Sequence, residues 1–107
     1  MELKTKRCIP CEGGVEKLNA EQVQELSKQL TGWEVRGEKL HKTLKFADFV
    51  ATMAFLNRLA EVAEAEGHHP DFCVHYNVVD VTIWTHAIDG LSENDFILAA
   101  KLDALGA

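Results

Sequence analysis

Residues 48–85 have the sequence DFVATMAFLNRLAEVAEAEGHHPDFCVHYNVVDVTIWT, which contains the features that decide the fold. Apolar residues recur every three or four positions in its first half, and this spacing predicts a helix from about Asp48 to Glu66. Gly67 is typical of the position just beyond a helix, and Pro70 stops the helix from continuing. The predicted core-facing stripe, with the residues that widen it, consists of Phe49, Met53, Leu56, Ala60, Ala63, Phe55, Leu59 and Val62.

The second half of this stretch predicts a β-hairpin. Two apolar runs, Phe72–Tyr76 and Val78–Thr85, flank Asn77, a residue that tolerates the backbone of a tight turn. A two-residue turn at Asn77 and Val78 sorts apolar pairs from polar pairs, and a slip of one residue would move every side chain to the other face. The apolar pairs are Phe72 with Ile83, Val74 with Val81, and Tyr76 with Val79. The polar pairs are Cys73 with Thr82, His75 with Asp80, and Asp71 with Trp84.

The preceding sequence predicts one helix and a first hairpin. Asn19 and Gln22 have the spacing of a capping box and begin the helix, which Gly32 ends. Strands over 33–35 and 40–46 then flank a turn that contains glycine.

A last helix capped by Ser92 completes the order helix, two strands, helix, two strands, helix. Because hairpins pair their strands antiparallel, we expect an α+β fold: a four-stranded antiparallel sheet with the helices packed on one face and the other face open. Residues 1–15, interrupted by Pro10 and a Gly-Gly pair, are expected to form a flexible, dispensable arm with few buried contacts. Residues 16–107 are expected to form a single domain.

Charge and composition exclude several classes of function. The 107 residues carry a net charge of −6, whereas a protein that binds the phosphate backbone of nucleic acids would present a basic face. No apolar run approaches the roughly 20 residues of a membrane span. The first residues also lack the apolar core of a secretory signal, so we expect a soluble, cytoplasmic protein.

The three cysteines indicate reduced thiols, because their number is odd and no export signal precedes them. Cys8 and Cys11 form a single CxxC motif. Half of a zinc site or a redox site is an alternative for this motif, but no second pair exists and no clear strand–helix unit follows it. We therefore favour a thiol-bearing arm.

Three histidines, His68, His69 and His86, form the candidate catalytic cluster. The predicted hairpin register, extended past the strands, brings His69 opposite His86, and His68 lies beside them. Glu64 precedes His68 by four residues, so its carboxylate can reach an imidazole on the last helical turn. Because imidazoles titrate near neutral pH, the cluster suits general acid–base catalysis on a small polar substrate.

Each histidine also has a simpler interpretation. His68 and His69 are compatible with a polar helix exit, and His86 with a solvent-facing strand end. Zinc binding is another alternative, but adjacent histidines converge on one ion with difficulty and an HExxH motif is absent. We assign no role to His41, and we expect His75 only to make the polar pair given above.

Two further residues complete the candidate site. Asp95 lies at the third position of the helix capped by Ser92, a capping-box arrangement that can also aim its carboxylate at His86. Trp84 lies on the open face of the predicted sheet, where its ring can stack on a flat heterocycle or form an oligomer contact.

The spacing of these residues resembles the signature of pterin-4a-carbinolamine dehydratases. In this chain it runs Glu64, three residues, His68-His69-Pro70, five residues, Tyr76, nine residues, His86, eight residues and Asp95. The resemblance covers about residues 17–105 and includes Gly32-Trp33, Phe46-Ala47-Asp48-Phe49, Tyr76-Asn77-Val78, Thr85-His86 and Gly90-Leu91-Ser92. Phe72 is a departure, since the animal proteins carry a tryptophan shortly after His-His-Pro, and it affects substrate packing more than chemistry.

The resemblance implies a hydro-lyase that converts a 4a-hydroxytetrahydropterin to quinonoid dihydropterin and water, in tetrahydrobiopterin recycling for aromatic amino acid hydroxylases. It implies that His68 and His69 transfer protons and that His86 binds and polarises the pterin. Glu64 and Asp95 would orient the histidines. No metal or organic cofactor is implied. The candidate substrate-binding residues are Trp84, Phe72 and Tyr76.

The resemblance also implies a homodimer or homotetramer whose ligand is a pterin, with neither nucleic acid nor membrane as a direct partner. A rival hypothesis is a binding or assembly module. In animals such proteins also serve as dimerisation cofactors of a homeodomain transcription factor, and relatives with altered sites assist Rubisco assembly. The presence of all three histidines and both acids favours catalysis.

Overall fold

A computed structural model describes residues 3–8 and 16–105 of the chain. The α-helices and strands of this part are α1 (Ala20–Ser27), β1 (Glu34–Arg36), β2 (Lys39–Lys45), α2 (Phe49–Glu66), β3 (Asp71–His75), β4 (Val78–Ile83) and α3 (Glu93–Asp103). Single-turn 3-10 helices cover Leu3–Thr5 and His86–Ile88. None of the helices in residues 3–8 and 16–105 is long and apolar enough to cross a membrane.

The strands form one antiparallel sheet in the order β1-β2-β4-β3, which confirms the α+β fold. Side chains of β2 and β4 such as Leu40 and Ile83 are buried with side chains of α2 and α3 such as Phe55 and Phe96. The core therefore lies between the central strands and these two helices. A shallow, mostly polar depression of about 470 Å³ on the sheet is lined by Arg36, His41, Thr43, Asp71, Phe72, Cys73, Asp80 and Thr82.

The hairpin of β3 and β4 differs by two residues from the predicted register. Its turn lies at Tyr76 and Asn77, where Tyr76 adopts a positive φ of 54°. Phe46 holds Asn77 from outside the hairpin: the Phe46 N–H donates to the Asn77 carbonyl at 2.8 Å, and Asn77 Nδ2 donates to the Phe46 carbonyl at 2.9 Å. A shift of two residues keeps each side chain on its predicted face and changes its partner. The observed pairs are Asp71–Thr82, Phe72–Val81, Cys73–Asp80, Val74–Val79 and His75–Val78.

This register changes all six predicted pairs, with two consequences for the histidines. The pairing of His75 with Asp80 is wrong, because Asp80 lies opposite a different residue and accepts a hydrogen bond from Thr43 Oγ1 at 2.7 Å. β3 begins after His69 and β4 ends before His86, so no ladder pair joins these two histidines. Any contact between them depends on the loops beyond the hairpin.

Three of the four predicted helix caps, at Asn19, Gly67 and Ser92, are confirmed. At α1 the capping box is reciprocal: the Asn19 N–H donates to Gln22 Oε1 at 3.0 Å, and the Gln22 N–H donates to Asn19 Oδ1 at 2.9 Å. Gly67 ends α2 in the left-handed region, with φ 65°. At α3 the Ser92 N–H donates to Asp95 Oδ2 at 2.8 Å.

α1 and the first hairpin differ from their predicted bounds. α1 ends at Ser27, whose hydroxyl donates to the Val23 carbonyl at 2.7 Å. Gly32, with φ 77°, lies in the loop that follows and does not end the helix. The turn between β1 and β2 consists of Gly37 and Glu38, which is narrower than predicted.

The core-facing side of α2 differs in part from the predicted stripe. The buried residues are Thr52, Phe55, Leu56, Leu59 and Ala63, whereas Phe49, Met53 and Ala60 are exposed. A helix that is apolar around most of its girth offers more than one candidate stripe, and packing against the sheet and α3 selects among them. Thr52 is tolerated in the core because its hydroxyl donates to the Asp48 carbonyl at 2.8 Å.

Residues 3–8, hereafter the N-terminal segment, pack against α3 and the end of α2. Leu3 is only 2% exposed and belongs to the core, so the expectation of few buried contacts does not hold here. Cys8 has a free, partly buried thiol, and burial followed by the charge of Glu66 raises its pKa to about 12. Cys11, the other half of the CxxC motif, lies outside the described residues, and the division into an arm and a domain stays a prediction.

Candidate active site

The loop that leaves α2 turns His68 inward and His69 outward. Gly67 permits this turn because its left-handed backbone is unfavourable for other residues. The His68 N–H still bonds to the Ala63 carbonyl at 3.3 Å, so His68 follows the helix directly. The side chain of His68 is 8% exposed and that of His69 is 57% exposed.

Asp95 is the buried partner of His68. Its Oδ1 lies 2.6 Å from His68 Nε2, while its Oδ2 accepts hydrogen bonds from Thr85 Oγ1 at 2.9 Å and from the Ser92 N–H at 2.8 Å. Asp95 is 0% exposed, so these donors replace the water that a carboxylate requires. An ionised Asp95 only accepts hydrogen bonds, which assigns the proton to His68 Nε2. The carboxylate therefore fixes the orientation and tautomer of the ring, and its partner is His68 and not His86.

Glu64 pairs with His69, at 2.5 Å between Oε2 and Nε2. The sequence suggested that Glu64 reaches His68 on the last helical turn, but that ring points inward to Asp95. The Glu64 side chain is 78% exposed, so this pair is screened by solvent and contributes little to stability. The Glu64 carboxylate can still bias the orientation of the exposed His69 ring.

His86 begins the 3-10 helix after β4 and stacks on Trp84. The two ring centroids are 4.1 Å apart and the planes differ by 15°. Lys39 Nζ lies 4.2 Å from the centroid of the same indole, a cation–π geometry. Within residues 3–8 and 16–105, the imidazole nitrogens of His86 have no hydrogen-bond partner, so both are available to a ligand.

The three histidines border one open cleft of about 420 Å³. Its lining residues are Gly67, His68, His69, Asp71, Trp84, His86 and Ala87. The cleft thus brings together residues from the end of α2, the start of β3 and the end of β4. Across the part of the chain that the structure describes, no three His, Cys, Asp or Glu side chains are grouped to hold a metal ion.

The other two candidate substrate-binding residues lie outside this cleft. Phe72 is on the edge strand β3 and is 45% exposed. Tyr76 is in the turn at the far end of β3, roughly 15 Å away at the rise of a strand, and its ring stacks on Phe49. The aromatic wall of the cleft is therefore supplied by Trp84 alone among the three.

Residues 16–105 match the model of the family described as "Pterin 4 alpha carbinolamine dehydratase". A relative from Rubrobacter xylanophilus is 46% identical over 97% of this chain and 98% of its own, and one from Nitrosospira multiformis is 48% identical over 97% and 92%. Both bear the name "Putative pterin-4-alpha-carbinolamine dehydratase". The chain belongs to this family.

Two solved structures extend the comparison to the fold of the family. A transcriptional coactivator/pterin dehydratase from Brucella melitensis superposes with a TM-score of 0.82, at 33% identity over 86% of this chain and all of that one. A pterin dehydratase-like protein, identified as a RuBisCO assembly factor in the alpha-carboxysome, has a TM-score of 0.59, at 28% identity over 70% and 87%. The family model, the named relatives and these structures together confirm the predicted family and its class of enzyme, a dehydratase.

Three residues at the candidate site were given no role in it from the sequence. Thr85 bonds to Asp95, Asp71 lines the cleft, and Lys39 contacts the ring of Trp84. Thr85 had a usable signal, because it directly precedes His86. Lys39 had none, since its contact with Trp84 depends on the pairing of β2 with β4.

Proposed function

We propose that this protein dehydrates a 4a-hydroxytetrahydropterin to a quinonoid dihydropterin and water. The observation that carries the proposal is the cleft shared by three imidazoles, two of which are hydrogen-bonded to carboxylates. Membership of the family supports the choice of reaction. The cleft volume of about 420 Å³ also lies within the usual range of small-molecule sites, about 300–1,000 Å³. The reaction would serve tetrahydropterin recycling beside a cytoplasmic aromatic amino acid hydroxylase.

The reaction needs one proton donated and one removed. The leaving hydroxyl takes a proton from an acid as the C4a–O bond breaks, and departs as water. A base removes the proton from N5, and the electron pair of the N–H bond forms the C4a=N5 double bond. Because one proton is given and one is taken, the imidazoles return to their starting states by exchange with each other or with solvent, and no oxidant or reductant is consumed.

We assign proton transfer to His68 and His69. Asp95 supports the role of His68, since it holds the buried ring in one orientation through a 2.6 Å hydrogen bond. Glu64 supports the role of His69 in the same way at the solvent edge of the cleft, where the ring can exchange protons with water. The acid and base roles are assigned to the pair and not to the individual histidines.

We assign binding and polarisation of the pterin to His86. Its free ring nitrogens suit a hydrogen bond to the substrate near the 4a-hydroxyl, and the stack with Trp84 fixes the plane of the imidazole. The main role of Trp84 is therefore to orient His86. The pterin ring would lie against the remaining surface of the cleft. Phe72 and Tyr76 keep their binding role only as a prediction, because neither lines this cleft.

The test is the initial rate of dehydration of enzymatically generated 4a-hydroxytetrahydropterin. We expect His69→Ala and His86→Ala each to lower kcat by about 10²–10⁴-fold, with an unchanged circular dichroism spectrum. This range covers the usual contribution of a general acid or base, for His69, and of a polarising hydrogen-bond donor, for His86. The matched controls His41→Ala and His75→Ala, which remove histidines outside the cleft, should retain parental activity. Chelators should leave the rate unchanged.

Two results would contradict this proposal. Parental rates in both His69→Ala and His86→Ala would show that the cluster does not supply the acid and base. Loss of activity on chelation, restored by added metal, would replace the acid–base site with a metal site.

A binding or assembly role is the second candidate function. It is favoured by the structural likeness to the protein identified as a RuBisCO assembly factor. Exposed apolar side chains at the start of α2, Phe49 and Val50 among them, offer a surface for such a role. A parent protein that binds no pterin and dehydrates no carbinolamine would favour this candidate over catalysis.

A further inference from the structure

Glu66, in the last turn of α2, has a carboxylate that is only 5% exposed. This is an unfavourable place for a negative charge, because burial removes water and the carboxyl end of a helix is itself negative. Donors from outside α2 offset this cost: the Cys8 N–H at 2.8 Å, Arg7 Nε at 3.0 Å and Lys101 Nζ at 3.5 Å. Burial alone would raise the pKa of Glu66, but these groups outweigh burial and lower the pKa below its ordinary value.

The N-terminal segment, which supplies two of these donors, also contacts the first turn of α3. Cys8 Sγ lies 3.6 Å from the Asn94 carbonyl, and Lys6 forms an ion pair with Glu93 at 2.9 Å. The buried side chain of Leu3 anchors the other end of the segment in the core. The segment therefore bridges the end of α2 and the start of α3.

The same two helix ends carry the buried pair of the candidate site. His68 follows Glu66 by two residues, and Asp95 follows Asn94 by one. The hydrogen bond between His68 and Asp95, at 2.6 Å, joins these ends on the cleft side. Because a hydrogen bond weakens steeply as its distance and angle depart from the optimum, this contact is sensitive to the separation of the two helix ends.

We propose that Glu66 is a positioning residue for His68. Held by the N-terminal segment and Lys101, its carboxylate keeps the end of α2 and the start of α3 in the arrangement that the His68–Asp95 hydrogen bond requires. The expected effect on turnover rests on the proposed function, whereas the effect on this hydrogen bond does not. Among residues 3–8 and 16–105, the Glu66 carboxylate contacts Arg7, Cys8 and Lys101, none of which lines the cleft, so it acts through His68.

The experiment compares Glu66→Gln and Arg7→Ala with the parent by two measurements. Nitrogen-15 NMR of the imidazole rings reports whether His68 Nε2 keeps its hydrogen-bonded proton, and steady-state kinetics separates kcat from KM. Glu66→Gln should shift or broaden the His68 signal and lower kcat about tenfold, a typical cost of slight misplacement, with KM changed less than about twofold. Arg7→Ala, at an exposed residue that does not threaten folding, should shift the same signal in the same direction but less.

The controls are Glu61→Gln and Arg58→Ala, which change exposed residues of the same helix and should leave both measurements at parental values. A parental His68 signal in both test variants would overturn the proposal. If Glu66→Gln does not fold, the His68 signal of Arg7→Ala decides in the same way. An inactive parent would contradict the proposed function only, because the NMR measurement would still test the positioning role.

Discussion

Asp95 serves both the fold and the candidate site with one carboxylate. One oxygen completes the cap of α3 and accepts from Thr85, and the other holds His68. The residue is fully buried, whereas Glu64, the partner of His69, is largely exposed. Since burial makes an unsatisfied donor costly, these two acids should respond very differently to substitution.

We expect Asp95→Asn to lower the free energy of unfolding by about 1–3 kcal/mol. The amide replaces one accepting oxygen with a donor, so at least one buried donor at this position loses its partner. Urea denaturation followed by circular dichroism measures the change. The matched control is Glu93→Gln in the same helical turn, where the side chain is 46% exposed and the change should stay below about 1 kcal/mol. Equal stability of Asp95→Asn and the parent would refute the assignment of three satisfied donors to this carboxylate.

At the scale of elements, the N-terminal segment joins α2 to α3 chiefly through Glu66. The expectation that residues 1–14 are dispensable is untested, but the burial of Leu3 and the ion pair of Arg7 with Glu66 argue against it. Deletion of this part should therefore destabilise the protein. The periodicity of so short a segment contains no indication of this, since its contacts are with residues far along the chain.

The contribution of Glu66 to stability should depend on pH. Its pKa in the folded protein is below the ordinary value of 4.5, because the Cys8 N–H, Lys101 and Arg7 outweigh burial. The carboxylate therefore stabilises the fold above about pH 4.5, and this stabilisation is lost as the pH falls through the lower pKa of the folded state. We expect the difference in Tm between the parent and Glu66→Gln to be constant near neutral pH and to shrink in acid. A difference that does not change from pH 7 to pH 3 would be inconsistent with these ion pairs.

At the scale of the whole molecule, one side presents apolar side chains to solvent. Val50 is 77% exposed, and Phe49 and Met53 lie beside it on α2. Tyr76 stacks on Phe49 with a centroid distance of 6.5 Å, which continues the patch to the edge strand β3. Contiguous apolar patches of this kind mark interaction surfaces.

We predict a homodimer or homotetramer that uses this patch. Sedimentation velocity at micromolar concentration should show an oligomer, and Val50→Glu should dissociate it because a charge would be buried in the interface. The matched control is Val35→Glu, which places the same charge at an exposed valine on the opposite edge strand β1 and should leave the oligomer intact. A parent that sediments as a stable monomer would exclude the prediction.

The sequence by itself determined the features that depend on neighbours three or four residues apart. The caps at Asn19, Gly67 and Ser92 and the order of helices and strands belong to this class. The physical reason is that a cap hydrogen bond closes within one helical turn, so the residues that make it are adjacent in the sequence. The motif from Glu64 to Asp95 identified the family for a different reason. It was recognised by its likeness to the sequences of other proteins and not from local physical interactions.

Only the tertiary structure decided the register of the second hairpin, the buried stripe of α2 and the partners of the histidines. Alternating apolar residues define the two faces of a strand, and a slip of two residues leaves both faces unchanged, so the contact between Asn77 and Phe46 was needed to select the register. Glu64 lies near both His68 and His69 in the sequence. His68 is buried against Asp95, 27 residues away, and His69 is therefore the histidine that pairs with Glu64. Such choices depend on which surfaces meet when the sheet and helices pack, and local spacing contains no information about that.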